Sequence, residues 1–221
     1  MPAAAMAPRR AAVPPLEVGA LLRAGLLEGA SIVVAATARA PVAEAVEEGC
    51  AGLGAAVRPW RVDAEDWQEE GEGAGARAAP ATAGDADLLA VDAASVFAAA
   101  GPGRDGLRLC LEVSWGVTKA VAERAFLPGE SGSEARGGRI VFIAPGPEAG
   151  EHAEEARAGL ENLSRTLTIE WARHQTTTVT IAPGAETSAQ AVAALVAYLA
   201  SPAGAYFSGC LLDLTGARPD S

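Results

Sequence analysis

From Gly138 to Gly184 the chain reads GRIVFIAPGPEAGEHAEEARAGLENLSRTLTIEWARHQTTTVTIAPG. Arg139 to Ala144 is a short apolar, β-branched run, which predicts a buried strand. Glu151 to Arg173 carries Leu160, Leu163, Leu167 and Trp171 at helical spacing, which predicts a long amphipathic helix. Thr177 to Ala182 is β-branched again and stops at Pro183-Gly184, a strand with a turn after it. A strand, a helix and a second strand joined this way form a parallel crossover unit, because a hairpin has no room for the helix.

The same alternation continues in both directions. Upstream, Ser31 to Ala36 (SIVVAA) predicts a strand, Pro41 to Gly49 a helix with Pro in its first turn, and Ala55 to Val62 a strand. Pro59 places that last strand at an edge or a kink. Trp67 to Gly84 reads as a weak helix plus loop, and Asp87 to Asp92 (DLLAVD) as a buried strand. Gly106 to Phe126 reads as a helix, with Leu109, Val113, Val117, Val121 and Ala125 every fourth residue. Downstream, Thr187 to Ala200 predicts a helix opened by a capping box from Thr187 to Gln190, and Cys210 to Leu214 a final strand. Strands that are apolar throughout and alternate with helices predict an α/β, doubly wound parallel sheet covered on both faces. The length, 221 residues, suits one such domain, spanning 19–217 after an unstructured tail over 1–18.

Charge and cysteine content narrow the function classes. With 28 acidic against 17 basic residues the net charge is −11, so no basic surplus exists to release counterions from nucleic acid. No run of 18 apolar residues is present to span a membrane. Arg9-Arg10 is followed by Pro14-Pro15 and Glu17 rather than an apolar export segment. Cys50, Cys110 and Cys210 are odd in number and far apart, which predicts free thiols and a cytoplasmic location rather than a disulfide framework.

The stretches GRIVFIA (Gly138 to Ala144), ARAGLENLSRTLTIEWARH (Ala156 to His174), VTIAPG (Val179 to Gly184) and ALVAYLASPAGAYFSGCLLDLTG (Ala194 to Gly216) resemble, in that order, the second half of a short-chain dehydrogenase/reductase. Within that family the chain looks like a degenerate relative of the 3-oxoacyl-acyl-carrier-protein reductases. Leu26 to Ala38 sits where the family's first strand and glycine turn belong, and Asp87 to Ala94 where its fourth strand and Asn-Ala-Gly turn belong. The resemblance implies a Rossmann-like sheet and a nicotinamide dinucleotide bound at a Thr-Gly-x-x-x-Gly-x-Gly turn. It also implies a catalytic Tyr-x-x-x-Lys on the long helix, with a Ser before it and an Asn one helix earlier.

At those positions the chain departs from the family. After the first strand it reads Ala35-Ala36-Thr37-Ala38-Arg39-Ala40-Pro41-Val42, with no Gly between Gly29 and Gly49. Each Cβ crowds the backbone's approach to a pyrophosphate, and Pro41 removes an N–H donor. Aligned on the family's Lys-Ala-Gly, Arg157-Ala158-Gly159 puts Arg157 at the Lys and Ala153 at the Tyr, and the Ser region falls on Ala144-Pro145-Gly146. The two tyrosines (Tyr198, Tyr206), the single Lys119 and the single Asn162 all lie elsewhere. His152 neighbours Ala153, but one helical step turns a side chain by roughly 100°, so it is expected to point away. Leu53 to Asp63 looks like the family's third strand alone, with a strand and a helix deleted before it. The rival assignment keeps Ala55 to Val62 as the second strand, loses the third, and leaves Asp63 as a ribose acceptor. The segment that closes over substrate is missing between Gly184 and Thr187.

Loss of the cofactor turn, the catalytic group and the substrate lid predicts a protein with no catalytic residues, no cofactor and no metal. It would be a structural or regulatory subunit, homo- or hetero-oligomeric, assembled with a catalytically complete relative. Surplus apolar residues on the elements the family uses for assembly nominate Leu109, Val113, Trp115, Val117, Leu160, Leu163, Leu167, Trp171, Leu195, Leu199 and Leu212 for its interfaces. The alternative is an active NAD- or NADP-dependent oxidoreductase with a rearranged site drawing on Arg157, His152 or Ser114. A third reading is a module that holds another small ligand in the emptied crevice.

Overall fold

Six strands form one sheet in the order β2-β1-β3-β4-β5-β6, and every adjacent pair is parallel. The computed structural model describes residues 22–63, 81–101, 103–128 and 135–216. The strands are β1 (Ser31–Ala36), β2 (Ala56–Arg61), β3 (Leu88–Asp92), β4 (Gly138–Ile143), β5 (Thr176–Ala182) and β6 (Cys210–Asp213). The helices are α1 (Pro41–Gly52), α2 (Ala93–Ala100), α3 (Arg104–Val121), α4 (Ala153–Trp171) and α5 (Ala189–Ala200). The tail over 1–18 and most of the Trp67 to Gly84 stretch lie outside the described residues.

Why these segments are strands follows from their burial. β1 and β3 are buried at every position, as central strands with both faces covered must be. β2 is exposed or half-buried except at Trp60 and sits at the edge, where Pro59 breaks no inner ladder. One face of the sheet packs against α1 and α5, and the other against α2, α3 and α4. Arg139 is half-buried at the end of α5, where one guanidinium nitrogen donates to the carbonyls of Leu199 (3.0 Å), Ala200 (2.6 Å) and Ser201 (2.7 Å). A cation there satisfies the helix's orphan carbonyls and opposes the negative end of its dipole.

Several expectations need correction. Ala56–Arg61 pairs directly with β1, from Ser31↔Ala56 to Ala36↔Arg61. In a doubly wound sheet of order 3-2-1-4-5-6 that is the second strand's place, so among the described residues the strand without a counterpart is the outer, third one. The α5 cap is Ser188, whose hydroxyl accepts from Ala191 N–H at 3.1 Å, while Thr187 Oγ1 accepts from Gly184 N–H at 2.9 Å and ties the preceding turn. Helix α2 follows β3 directly, and its Ala-rich sequence carries no periodic signal of its own. Phe126, at the end of the predicted helix, is fully buried. The chain passes from α3 into a π-helical turn, Ala122–Phe126, which shifts the helical phase and swings the ring onto Gly138.

The nominated interface side chains divide in the same way. Leu109, Val113, Val117, Leu160, Leu167 and Leu199 are buried in the chain's own core and offer a partner no surface. Leu163, Trp171, Leu195 and Leu212 are half-buried, and only Trp115, at 41 % exposure and stacked on Trp171 at 6.3 Å, is open. A stripe at helical spacing is the same whether it meets its own sheet or another molecule.

Candidate functional site at the sheet's C-terminal edge

In an all-parallel sheet every strand ends on the same side, and ligands enter where the crossovers diverge. Here that point lies between β1 and β3, because α1 covers one face and α2 the other. The groups gathered there are Thr37 after β1, Asp92 at the end of β3, Ser95 in α2 and the first turn of α1.

These groups are bonded to one another. Asp92 is 1 % exposed, and its Oδ1 accepts from the Ser95 N–H at 3.0 Å as the N-cap of α2. The N–H groups of Ala94 and of Ala43, in the first turn of α1, also favour its charged form. The Ser95 hydroxyl donates to Asp92 O at 2.8 Å and accepts from the Thr37 N–H at 3.1 Å. Burial pushes the Asp92 carboxyl up to about 6, against the pull of those three N–H donors. Cys110 in α3 lies beneath, donating to Ala93 O at 3.5 Å. Burial and the Asp92 charge push its thiol up to about 12, so it is not a nucleophile.

Further along the edge, Arg157 is buried and donates from one nitrogen to Pro145 O at 2.8 Å and Pro183 O at 2.9 Å, joining the segments that follow β4 and β5. Glu154 (3.6 Å) and Asp213 (4.0 Å) balance its charge. Ala153, 2 % exposed, brings only a methyl group. His152 is not one helical step from Ala153, as expected. It is the residue before α4 in a left-handed conformation (φ 66°), half-buried and 3.3 Å from Glu155. Ser114 is fully buried in α3, with its hydroxyl unpartnered among the described residues, out of a substrate's reach. The site therefore brings Arg157 and Ala153 together at the edge, keeps His152 at its rim and leaves Ser114 in the core.

At the outer side, Val62 N–H donates to Ala36 O at 2.9 Å, so Val62 stands level with Thr37 and the exposed Asp63 one residue further, level with Ala38 at the crevice mouth. A cavity of about 380 Å³ between α1 and α5 lies at the far end of α1, lined mainly by Ala and Leu, and is separate from this crevice. Among the described residues no cluster of His, Cys, Asp or Glu could hold a metal, and no helix is long and apolar enough to cross a membrane.

No protein-family model and no curated protein matches the sequence. Solved structures do match the fold. A Serratia marcescens short-chain dehydrogenase/reductase mutant shares 20 % identity over 85 % of this chain and 96 % of its own, with a TM-score of 0.65. The NADH-dependent enoyl-acyl-carrier-protein reductase of Aquifex aeolicus shares 15 % over 86 % and 97 %, also with 0.65. BdcA in complex with NADPH shares 18 % over 85 % and 93 %, with 0.61. The chain has the short-chain dehydrogenase/reductase fold. The expectation of no cofactor is corrected by the last two structures. One protein of this fold is named for NADH and another holds NADPH, which points to a nucleotide rather than none.

Short-chain dehydrogenase/reductases place the adenosine ribose at the end of the second strand and the pyrophosphate on the first helix. The ribose end fits here, because Asp63 follows a strand paired to β1 and a carboxylate there accepts from ribose hydroxyls. The phosphate end does not fit. Pro41 has no N–H, the Ala43 N–H faces Asp92, the Glu44 N–H bonds Ala40 O at 2.9 Å, and the Thr37 N–H is held by Ser95.

Proposed function

We propose that this chain is a member of the short-chain dehydrogenase/reductase family that binds a nicotinamide-type nucleotide by its adenosine end, as an oxidoreductase with a rearranged site. The pairing of β2 with β1 carries the reading, since it supports the second-strand assignment and puts Asp63 at the crevice mouth. The dehydrogenases and reductases among the fold neighbours support the reaction class. His152, at the rim beside Ala153, is with Glu154 one of the two titratable groups adjacent in sequence to the place where the family keeps its acid. Arg157 serves as a positioning residue that fixes the segments after β4 and β5.

Titration of the purified chain with NADH and NADPH tests this. Micromolar binding is expected, tighter for NADH, because Asp63 opposes a 2′-phosphate. Asp63→Ala is expected to weaken NADH and narrow the preference. Absence of binding to either nucleotide refutes the proposal.

A second reading keeps the nucleotide and drops the turnover: a structural or regulatory subunit beside a catalytically complete relative. Ala153, a buried methyl where the family has its Tyr, favours it. So do Trp115 (41 % exposed) on α3 and Ile169 (78 %) on α4, apolar side chains open for assembly. Nucleotide binding without turnover, together with a native mass above that of the single chain, selects this reading. Turnover that is lost in His152→Ala selects the first.

A further inference from the structure

We infer that the cavity between α1 and α5 is a second binding site, for a small apolar molecule that carries a basic nitrogen at one end. The inference is independent of the nucleotide reading, because the cavity lies at the far end of α1 and shares no residue with the crevice.

The space is kept open by residue choice. Small side chains between two helices ordinarily mark a close approach of their backbones, but here the approach does not require them. A methyl group on Gly49 of α1 would meet the Ala193 Cβ of α5 at 3.5 Å, an ordinary contact, and one on Gly52 would meet nothing within 4 Å. Backbone geometry does not require these glycines either. Both lie in α1, and Gly54, at φ 99°, supplies the left-handed turn after it. Glycine in a helix costs stability relative to alanine, so what the pair preserves is the volume itself.

That volume suits a compact ligand. A dry cavity of about 150 Å³ takes a benzene ring, so about 380 Å³ takes an apolar body of roughly ten to fifteen heavy atoms. The buried Ala193, Ala194 and Ala197 form an apolar floor, with Leu22 and Leu53 beside it. The two polar side chains of the lining, Glu48 and Gln190, are both exposed, which puts them at the mouth. Glu47 is held by Arg61, whereas the Glu48 carboxylate has no partner among the described residues. A carboxylate at the mouth of an apolar cavity favours a cation there and opposes an anion. The net charge of −11 adds to that preference.

The experiment is calorimetric titration of the full chain at pH 7 with 4-phenylbutylamine, 4-phenylbutan-1-ol and 4-phenylbutanoate, which share an apolar body and differ at the end group. The amine is expected to bind with a Kd below about 1 mM, the alcohol about fivefold more weakly, and the carboxylate more weakly still. Glu48→Gln is expected to remove the amine's advantage over the alcohol. Gly52→Leu, which fills the cavity, is expected to weaken the amine at least about tenfold. Circular dichroism reports that each variant is folded, and Ala45→Leu fills the same space should Gly52→Leu not fold. No binding of the amine at millimolar concentration overturns the proposal. Amine and alcohol bound alike by wild type overturn the cationic class. Amine bound as tightly by a folded filling variant lies elsewhere and overturns the site. Affinity that rises as the chain is diluted shows a second copy seated in the cavity, and overturns it too.

Discussion

Replacing Asp92 by Asn should change how stability depends on pH, with a sign set by the direction of the Asp92 shift. Burial raises the folded carboxyl from 3.8 to about 6. At about 1.4 kcal/mol per unit, keeping it ionised costs the fold roughly 3 kcal/mol at neutral pH. Because the folded value lies above the unfolded one, the folded state holds a proton that the unfolded state releases. The resulting stabilisation is complete below 3.8 and is lost as pH rises through about 6. Between pH 7 and pH 5, wild type should therefore gain about 1 kcal/mol relative to Asp92→Asn, or about 2–4 °C in melting temperature for a chain of this size. The difference between the two proteins is the quantity to measure. Asp85, Asp213 and Glu155 are held below the usual carboxylate range by Arg58, by Thr215 and by the Glu155 backbone with His152, and they titrate alike in both. Calorimetric melting, or urea unfolding, at half-unit steps from pH 5 to 8 gives the curve. A flat difference, or a wild type that weakens against the variant on acidification, refutes the assignment of Asp92 as a costly buried anion.

Arg157→Met removes the charged donor to Pro145 O and Pro183 O and should lower stability by about 2–4 kcal/mol. Arg157→Lys, which keeps the charge but loses the planar fork, should fall between it and wild type in urea unfolding. Arg139→Met strips the α5 carboxyl end of its cation, with an expected loss of about 1–3 kcal/mol that changes little between low and high salt because the site is half-buried. Gly138→Ala places a methyl within 2.2 Å of the Phe126 ring, and should cost about 2–3 kcal/mol in a thermal melt unless Phe126 is shortened to Leu in the same chain.

The strand and helix order was legible because apolar runs between polar turns have one economical packing: a parallel sheet with helices on both faces. SIVVAA, DLLAVD and RIVFIA carry apolar cores next to polar end residues and lie at the centre of the sheet. Pro59 correctly marked an edge. What the spacing hid was the partner of each element. Ala56–Arg61 has the same sequence whether it pairs with β1 or with an intervening strand, and the hydrogen bonds to β1 decide it. Leu160 and Leu167 have the same helical spacing as interface residues and prove to be core. The π turn that carries Phe126 onto Gly138 leaves no mark in the periodicity.

Of the site, the sequence by itself determined the departures: no glycines in the turn after β1, Ala153 and Arg157 on the long helix, and one Lys far from both. Those are matters of residue identity along the chain. The tertiary structure decided what stands in their place. Asp92 and Ala43 are far apart in sequence, and Arg157 reaches segments after two different strands. Only the folded sheet, which brings strand ends and helix starts to one edge, makes Asp92 a buried anion at the start of α2.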